Sequence, residues 1–206
     1  MIKEQIQVTY KGTPVLVERA LQDIQQSLTD KLTWLDCAFG AAHRHIKYSA
    51  NGRRFIYPAA YIGQGEYISL FPNDNFGNFS WFDIYDPQQI SNTIPSHPQI
   101  TLDGALVFWY DLSSIYEDRA FIYSEEIKNE ILRLLTTPGL LKGRNRITIN
   151  RIYEKPENVY KGYAIEKLYD DSDMLSPDSR FLDKHFFTYP YAGLRIEFTL
   201  TIQEPC

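Results

Sequence analysis

At 206 residues, with 44% hydrophobic and 23% charged residues, the chain suits one domain with elaborated loops and falls in the ordinary globular class, away from disorder. Its net charge of −5 argues against a protein that grips nucleic acid by neutralising phosphates, which calls for a basic excess. The two cysteines, Cys37 and Cys206, lie far apart with no CxxC pair, which excludes a disulfide scaffold, and there is no run of about 18 apolar residues to cross a membrane.

Residues 1–10 read as a short strand or arm, with Ile2, Ile6 and Val8 partly in register, and Met1-Ile2-Lys3-Glu4-Gln5 lacks the basic start and apolar run of a signal peptide. A soluble protein made in a cytoplasm is expected. Thr13 can cap a helix and Pro14 fits its first turn. Leu21, Ile24, Leu28, Leu32 and Leu35 then recur at spacings of three and four, which predicts a helix over 14–35. Its other face, with Glu18, Arg19, Gln22, Gln25, Gln26 and Lys31, suits water.

Strands follow. Asn51-Gly52, flanked by His43–Tyr48 and Arg53–Ile62, predicts a hairpin, and Gly63-Gln64-Gly65 turns the chain again into Tyr67–Phe71. Phe79–Tyr85 and Ala105–Leu112 are further strands, and the proline-bearing 86–104 between them reads as a long loop, a length that is usually functional or flexible. Ser124 opens a second helix, with Glu125 and Glu126 at the positive end of its dipole and Ile127, Ile131, Leu134 and Leu135 as its buried stripe. Pro138-Gly139 stops it. Ile147, Ile149 and Tyr153 alternate as a strand, while 154–188 is polar, with a short helix around Val159–Leu168, and is expected as an insertion. From Tyr191 to Gln203, Leu194, Ile196, Phe198, Leu200 and Ile202 alternate with Arg195, Glu197, Thr199 and Thr201, a strand with one oily and one wet face. The residues alone therefore specify a single α+β domain spanning 1–206.

No motif for chemistry emerges, so no catalytic, cofactor or metal residue is expected. His43 and His45 share a strand face but lack a third ligand, since His97 and His185 stand at no recruiting spacing. Asp170-Asp171-Ser172-Asp173 lacks the glycine and closing glutamate of a calcium loop, and Asn73–Asn78 is a polar turn cluster. Asp83 and Asp86 flank a strand end and could pair as acid and base. Arg53-Arg54 and Lys142-Gly143-Arg144-Asn145-Arg146 are short basic clusters that suit solvated loops better than a phosphate site. No nucleophile elbow or phosphate loop occurs, and Gly63-Gln64-Gly65 has no third glycine. Trp34, Trp81 and Trp109 could line a sugar or base platform, although core and interface roles suit tryptophans in apolar strands better. Aromatics make up 15% of the chain, which fits either an aromatic β core or surfaces half-buried on assembly.

The order of elements carries one resemblance. A first helix (Leu21 to Leu35) precedes strands around Phe55-Ile56-Tyr57-Pro58-Ala59-Ala60-Tyr61-Ile62 and a long strand at Leu106–Leu112; a second helix, Ser124–Leu135, ends at Pro138-Gly139, and Ala192–Ile202 closes the sheet. In this order the chain resembles the tail terminator and tail-completion proteins of tailed bacteriophages and the related neck-ring components. The resemblance covers most of the chain and implies a mainly antiparallel β-sheet with two principal α-helices packed on one face and long loops. It also implies a non-enzymatic, homo-oligomeric ring in the virion neck or tail that contacts portal, connector or tail-tube proteins and passes DNA without reading its sequence. Loops 86–104 and 170–188 would reach neighbouring copies, and an acidic bore would let DNA slide. The other functions weighed are a small-ligand or carbohydrate-binding module on Trp81, Trp109 and neighbouring tyrosines, and a metal-dependent hydrolase built on His43 and His45.

Overall fold

The computed structural model describes residues 8, 10–48, 54–71, 76–91, 99–116, 124–163 and 190–203. Its frame is a pair of long strands, β7 (Gln99–Asp111) and β9 (Tyr191–Gln203), antiparallel over thirteen residue pairs from Gln99↔Gln203 to Asp111↔Tyr191. The helix-facing residues of β9 are the predicted oily set: Leu194, Ile196, Phe198 and Leu200 are fully buried, and Ile202 nearly so. At about 2 kcal/mol for each such side chain, that one face contributes on the order of 10 kcal/mol, as much as the net stability of a typical domain.

Around this pair the main sheet runs β1 (Cys37–Ala41), β5 (Phe79–Ile84), β7, β9, β8 (Arg146–Tyr153), with β6 (Gln89–Ser91) also paired to β7. The described pairings are antiparallel apart from β1 with β5. A second sheet, β2 (His43–Tyr48), β3 (Arg54–Gly63) and β4 (Glu66–Ser69), is antiparallel throughout. Gly63, Gln64 and Gly65 all take positive φ in the β3–β4 turn, which the two glycines adopt without strain. The tip of the β2–β3 hairpin, with Asn51-Gly52, lies outside the described residues.

Helices α1 (Leu16–Lys31) and α3 (Ser124–Leu135) pack on one face of the main sheet, so the fold is α+β with a mainly antiparallel sheet. Ile24 and Leu28 of α1 and Ile127 and Ile131 of α3 meet Phe82, Leu106, Phe108 and the oily face of β9 in one core. A short helix, α2 (Leu112–Ile115), follows β7, with the Asp111 carboxylate capping it by accepting from the Ser113 N–H at 2.9 Å. On the opposite face a second core joins Phe39, Phe79, Trp81, Val107 and Trp109 to Ala60 of the small sheet and to Leu70 just beyond it. Val159, Tyr160 and Tyr163, in and just after helix α4 (Pro156–Val159), complete it. The start of the polar stretch 154–188 is thus part of the core; the rest, from 164 to 188, including Asp170–Asp173, lies outside the described residues.

Several expectations are corrected. Helix α1 is shorter than 14–35, and its N-cap is Val15 in place of Thr13. Leu32 and Leu35 are buried from the turn beyond the helix, so their spacing reported burial and not helicity. Gln25, assigned to water, is buried and donates through Nε2 to the Ala38 carbonyl at 2.6 Å, tying α1 to β1. The loop 86–104 contains β6 and the first residues of β7: pairing with β9 overrides the local proline signal. Asn78, from the polar turn cluster, is buried and stitches three elements together. Its side chain donates to the Trp34 carbonyl and to Ser114 Oγ, and accepts from the Asp111 N–H.

Candidate functional site

The small sheet stands out first by its charge. From His43 to Ser69 the sequence holds Arg44, Lys47, Arg53 and Arg54 against the single carboxylate Glu66, +3 in a chain of net charge −5, so the remainder carries −8. Strand alternation places His43, His45, Tyr57, Tyr61 and Tyr67 on one face. Their rings form one cluster: His45 lies 4.6 Å from Tyr67 and 5.8 Å from Tyr57, His43 lies 5.4 Å from Tyr67, and Tyr61 lies 5.3 Å from Tyr67. Tyr61 and Tyr67 remain almost half exposed. Ile46 and Tyr48, on the other face of β2, are 47% and 65% exposed, so this arm shows apolar side chains on both sides. Soluble surfaces seldom gather such residues without a partner.

Beneath the arm lies a buried polar cluster. Arg195, placed by alternation on the wet face of β9, is 1% exposed. Its Nη2 donates to Asp83 Oδ2 at 2.9 Å and to the Tyr85 hydroxyl, and its Nη1 to the Val159 carbonyl at 3.2 Å. The Tyr163 hydroxyl donates to Asp83 Oδ1 at 3.1 Å, and the Arg44 guanidinium lies 5.4 Å from the Tyr163 ring centre. Burial disfavours the Arg195 cation, yet the Asp83 hydrogen bond and the neighbouring Tyr85 and Asp83 hold its proton above the ordinary range. Burial, then the Asp83 charge and hydrogen bond, push the Tyr163 phenol well above its usual value. The cluster anchors 156–163 to the sheet and locks small sheet, segment and main sheet together.

This arrangement disposes of the sequence candidates one by one. Asp83 is committed to Arg195 and Tyr163 while Asp86 is exposed, so the two are not an acid–base pair. Trp81 and Trp109 are buried, which removes them as a sugar platform. Trp34 is half-buried and donates from Nε1 to Glu130 at 2.9 Å. His43 and His45 do share a face, as expected, but their neighbours are tyrosines, and among the described residues no group of three or more His, Cys, Asp or Glu could hold a metal ion. His97, His185, Arg53 and Cys206 lie outside the described residues, and Cys37 is buried and free. Sequence reasoning missed Arg195, Tyr163 and the exposed aromatic face. Counting charge by segment would have found the basic arm.

The fold and site define an α+β protein whose most distinctive surface is a basic, aromatic β-arm. No family model matches the chain, and no curated protein matches it. No described helix is long and apolar enough to cross a membrane.

Proposed function

We propose that the chain is a structural virion protein that closes into a homo-oligomeric ring at the head–tail junction or tail terminus of a tailed bacteriophage, joining neck to tail and letting DNA pass. The observation that carries this reading is the arm: apolar on both faces, +3 in charge, and attached to a body of −8. Such a surface complements a different surface of the next copy better than it complements itself. That defines a heterologous contact, and heterologous contacts close into rings when the rotation permits. The body offers exposed Glu125, Glu126 and Glu130 on α3 as opposite charges. No turnover is involved in this role.

Native mass spectrometry and electron microscopy, with and without portal, connector or tail-tube partners, test it. A closed ring of defined copy number is the expected result; monomer alone under every condition overturns it. A second reading, a small-ligand or carbohydrate-binding module, moves from the buried tryptophans to the ring cluster of His43, His45, Tyr57, Tyr61 and Tyr67. It predicts a monomer or dimer whose tyrosine fluorescence is quenched by a member of a sugar panel.

A further inference from the structure

The face of the main sheet that carries Arg195 has an uncovered end. There, between the loop after α3 and the ends of β7, β8 and β9, lies a cleft of about 630 Å³. Its wall is made by Arg144, Arg146, Asn145, Gln99, Thr148 and Thr201, together with Gly143 and Gln203, so it holds two guanidiniums, amides and hydroxyls and no carboxylate. The volume falls within the range of ligand sites, but such sites are mostly apolar, and this lining is mainly polar. A hydrated anion of more than a few atoms fits that chemistry.

The cleft is built and not merely charged. Leu141 is buried in the helix-side core, and Lys142 is spent on Asp23, Nζ to Oδ1 3.3 Å. On the far side Asn145 Oδ1 accepts from the Gln203 N–H at 2.9 Å. Arg144 therefore sits between two anchors, Lys142 two residues before it and Asn145 directly after it. Because the carbonyl oxygen of Asn145 is engaged, what its side chain offers to a ligand is the N–H₂ group, a donor suited to an anion. Gly143, at φ +72°, takes the turn that brings the loop over the strand ends. Neither Arg144 nor Arg146 has an ion-pair partner among the described residues, in a chain with an excess of acid. Asp103, further along the same face, is not in the wall, and its carboxylate accepts from Thr199 Oγ1 at 2.6 Å.

We infer that this cleft binds phosphate carried by an organic ligand, with Arg144 and Arg146 clamping the phosphate oxygens and Asn145, Gln99 and the threonine hydroxyls holding the adjoining sugar or diester. Guanidinium forks match phosphate oxygens in pairs, which favours this ligand over a simple halide or carboxylate. Two sources carry the chemistry, a nucleic-acid backbone and a small sugar phosphate. The inference stands apart from the ring reading, and monomeric protein suffices to test it.

The test uses fluorescence anisotropy with labelled single-stranded and duplex oligonucleotides, beside calorimetry with ribose 5-phosphate and inorganic phosphate, all at low salt. Binding by any phosphate ligand is expected, weakening about tenfold or more in the double variant Arg144→Gln/Arg146→Gln. For an oligonucleotide the slope of log affinity against log salt falls by about 1 per arginine removed. The control Lys31→Gln/Arg133→Gln, which removes two exposed cations from the helix side, leaves binding unchanged. Tighter binding of the oligonucleotide assigns the cleft to a nucleic-acid backbone, and equal or tighter binding of ribose 5-phosphate assigns it to a small ligand; both sustain it. In ¹⁵N spectra the Asn145 side-chain amide signals shift on saturation. No binding of any probe, an equal loss in the Lys31→Gln/Arg133→Gln control, or unmoved Asn145 signals overturns the inference.

Discussion

One face of the main sheet presents arginines at both ends, and the two ends behave in opposite ways. At the covered end Arg195 lies under the small sheet and the 156–163 segment, both of its terminal nitrogens engaged by Asp83, Tyr85 and the Val159 carbonyl. At the open end Arg144 and Arg146 face water with no ion-pair partner among the described residues. The difference lies in what has been laid over the sheet, not in residue type. A buried arginine is held by its neighbours and stabilises the assembly of layers; an exposed one, held in place by anchors beside it, is free to meet something else.

If that contrast is right, the largest effect belongs to Arg195. Arg195→Ala strands the Asp83 carboxylate in the core and should cost about 3–5 kcal/mol in urea denaturation, whereas the apolar pair Asp83→Leu/Arg195→Met should recover most of it. A single variant as stable as wild type would break the comparison. Next comes pH. Burial, then Asp36, pushes the Cys37 thiol from 9.0 up to about 12. The folded state thus keeps a proton that the unfolded chain releases. Stability from this group is complete below the unfolded value of 9.0 and is lost as pH climbs towards about 12, at up to roughly 1.4 kcal/mol per unit. Urea midpoints measured across this range should fall with pH, and Cys37→Ala should flatten the slope.

Tyr163→Phe removes one donor from buried Asp83 and should cost about 1–3 kcal/mol, with the 156–163 amides exchanging faster in hydrogen-exchange measurements. Smallest of all, Arg144→Gln/Arg146→Gln should leave the unfolding free energy in urea within about 0.5 kcal/mol of wild type, since nothing in the fold leans on them. A large loss there would show that the open end is structural after all.

Where sequence spacing reports burial directly, the fold was legible. Ile127, Ile131, Leu134 and Leu135 and the alternation from Leu194 to Ile202 predict α3 and β9, and with α1 the α+β class. Other elements are set by contacts distant in sequence. Strand β1, Cys37-Ala38-Phe39-Gly40-Ala41, is too short to declare itself and forms because β5 lies parallel to it. The first residues of β7 look like loop beside Pro95 and Pro98 until β9 pairs with them. Arg195 is the sharpest case: alternation assigns its face correctly, but whether that face is wet depends on Tyr163 and Val159, which fold back over it from more than thirty residues earlier. The arm and the cleft escaped for a related reason. Each is a property of charge and exposure gathered in space, which no local pattern encodes.

The thirteen-pair ladder between β7 and β9 has a bearing on how the protein is made. Its central strand has to wait some ninety residues of further synthesis for its partner, so on the ribosome the apolar edge of β7 stays unclaimed until residue 203 has cleared the exit tunnel. Nascent chains of this protein are therefore natural clients for holding chaperones, and stalled or shortened products ending before Tyr191 should accumulate as insoluble material.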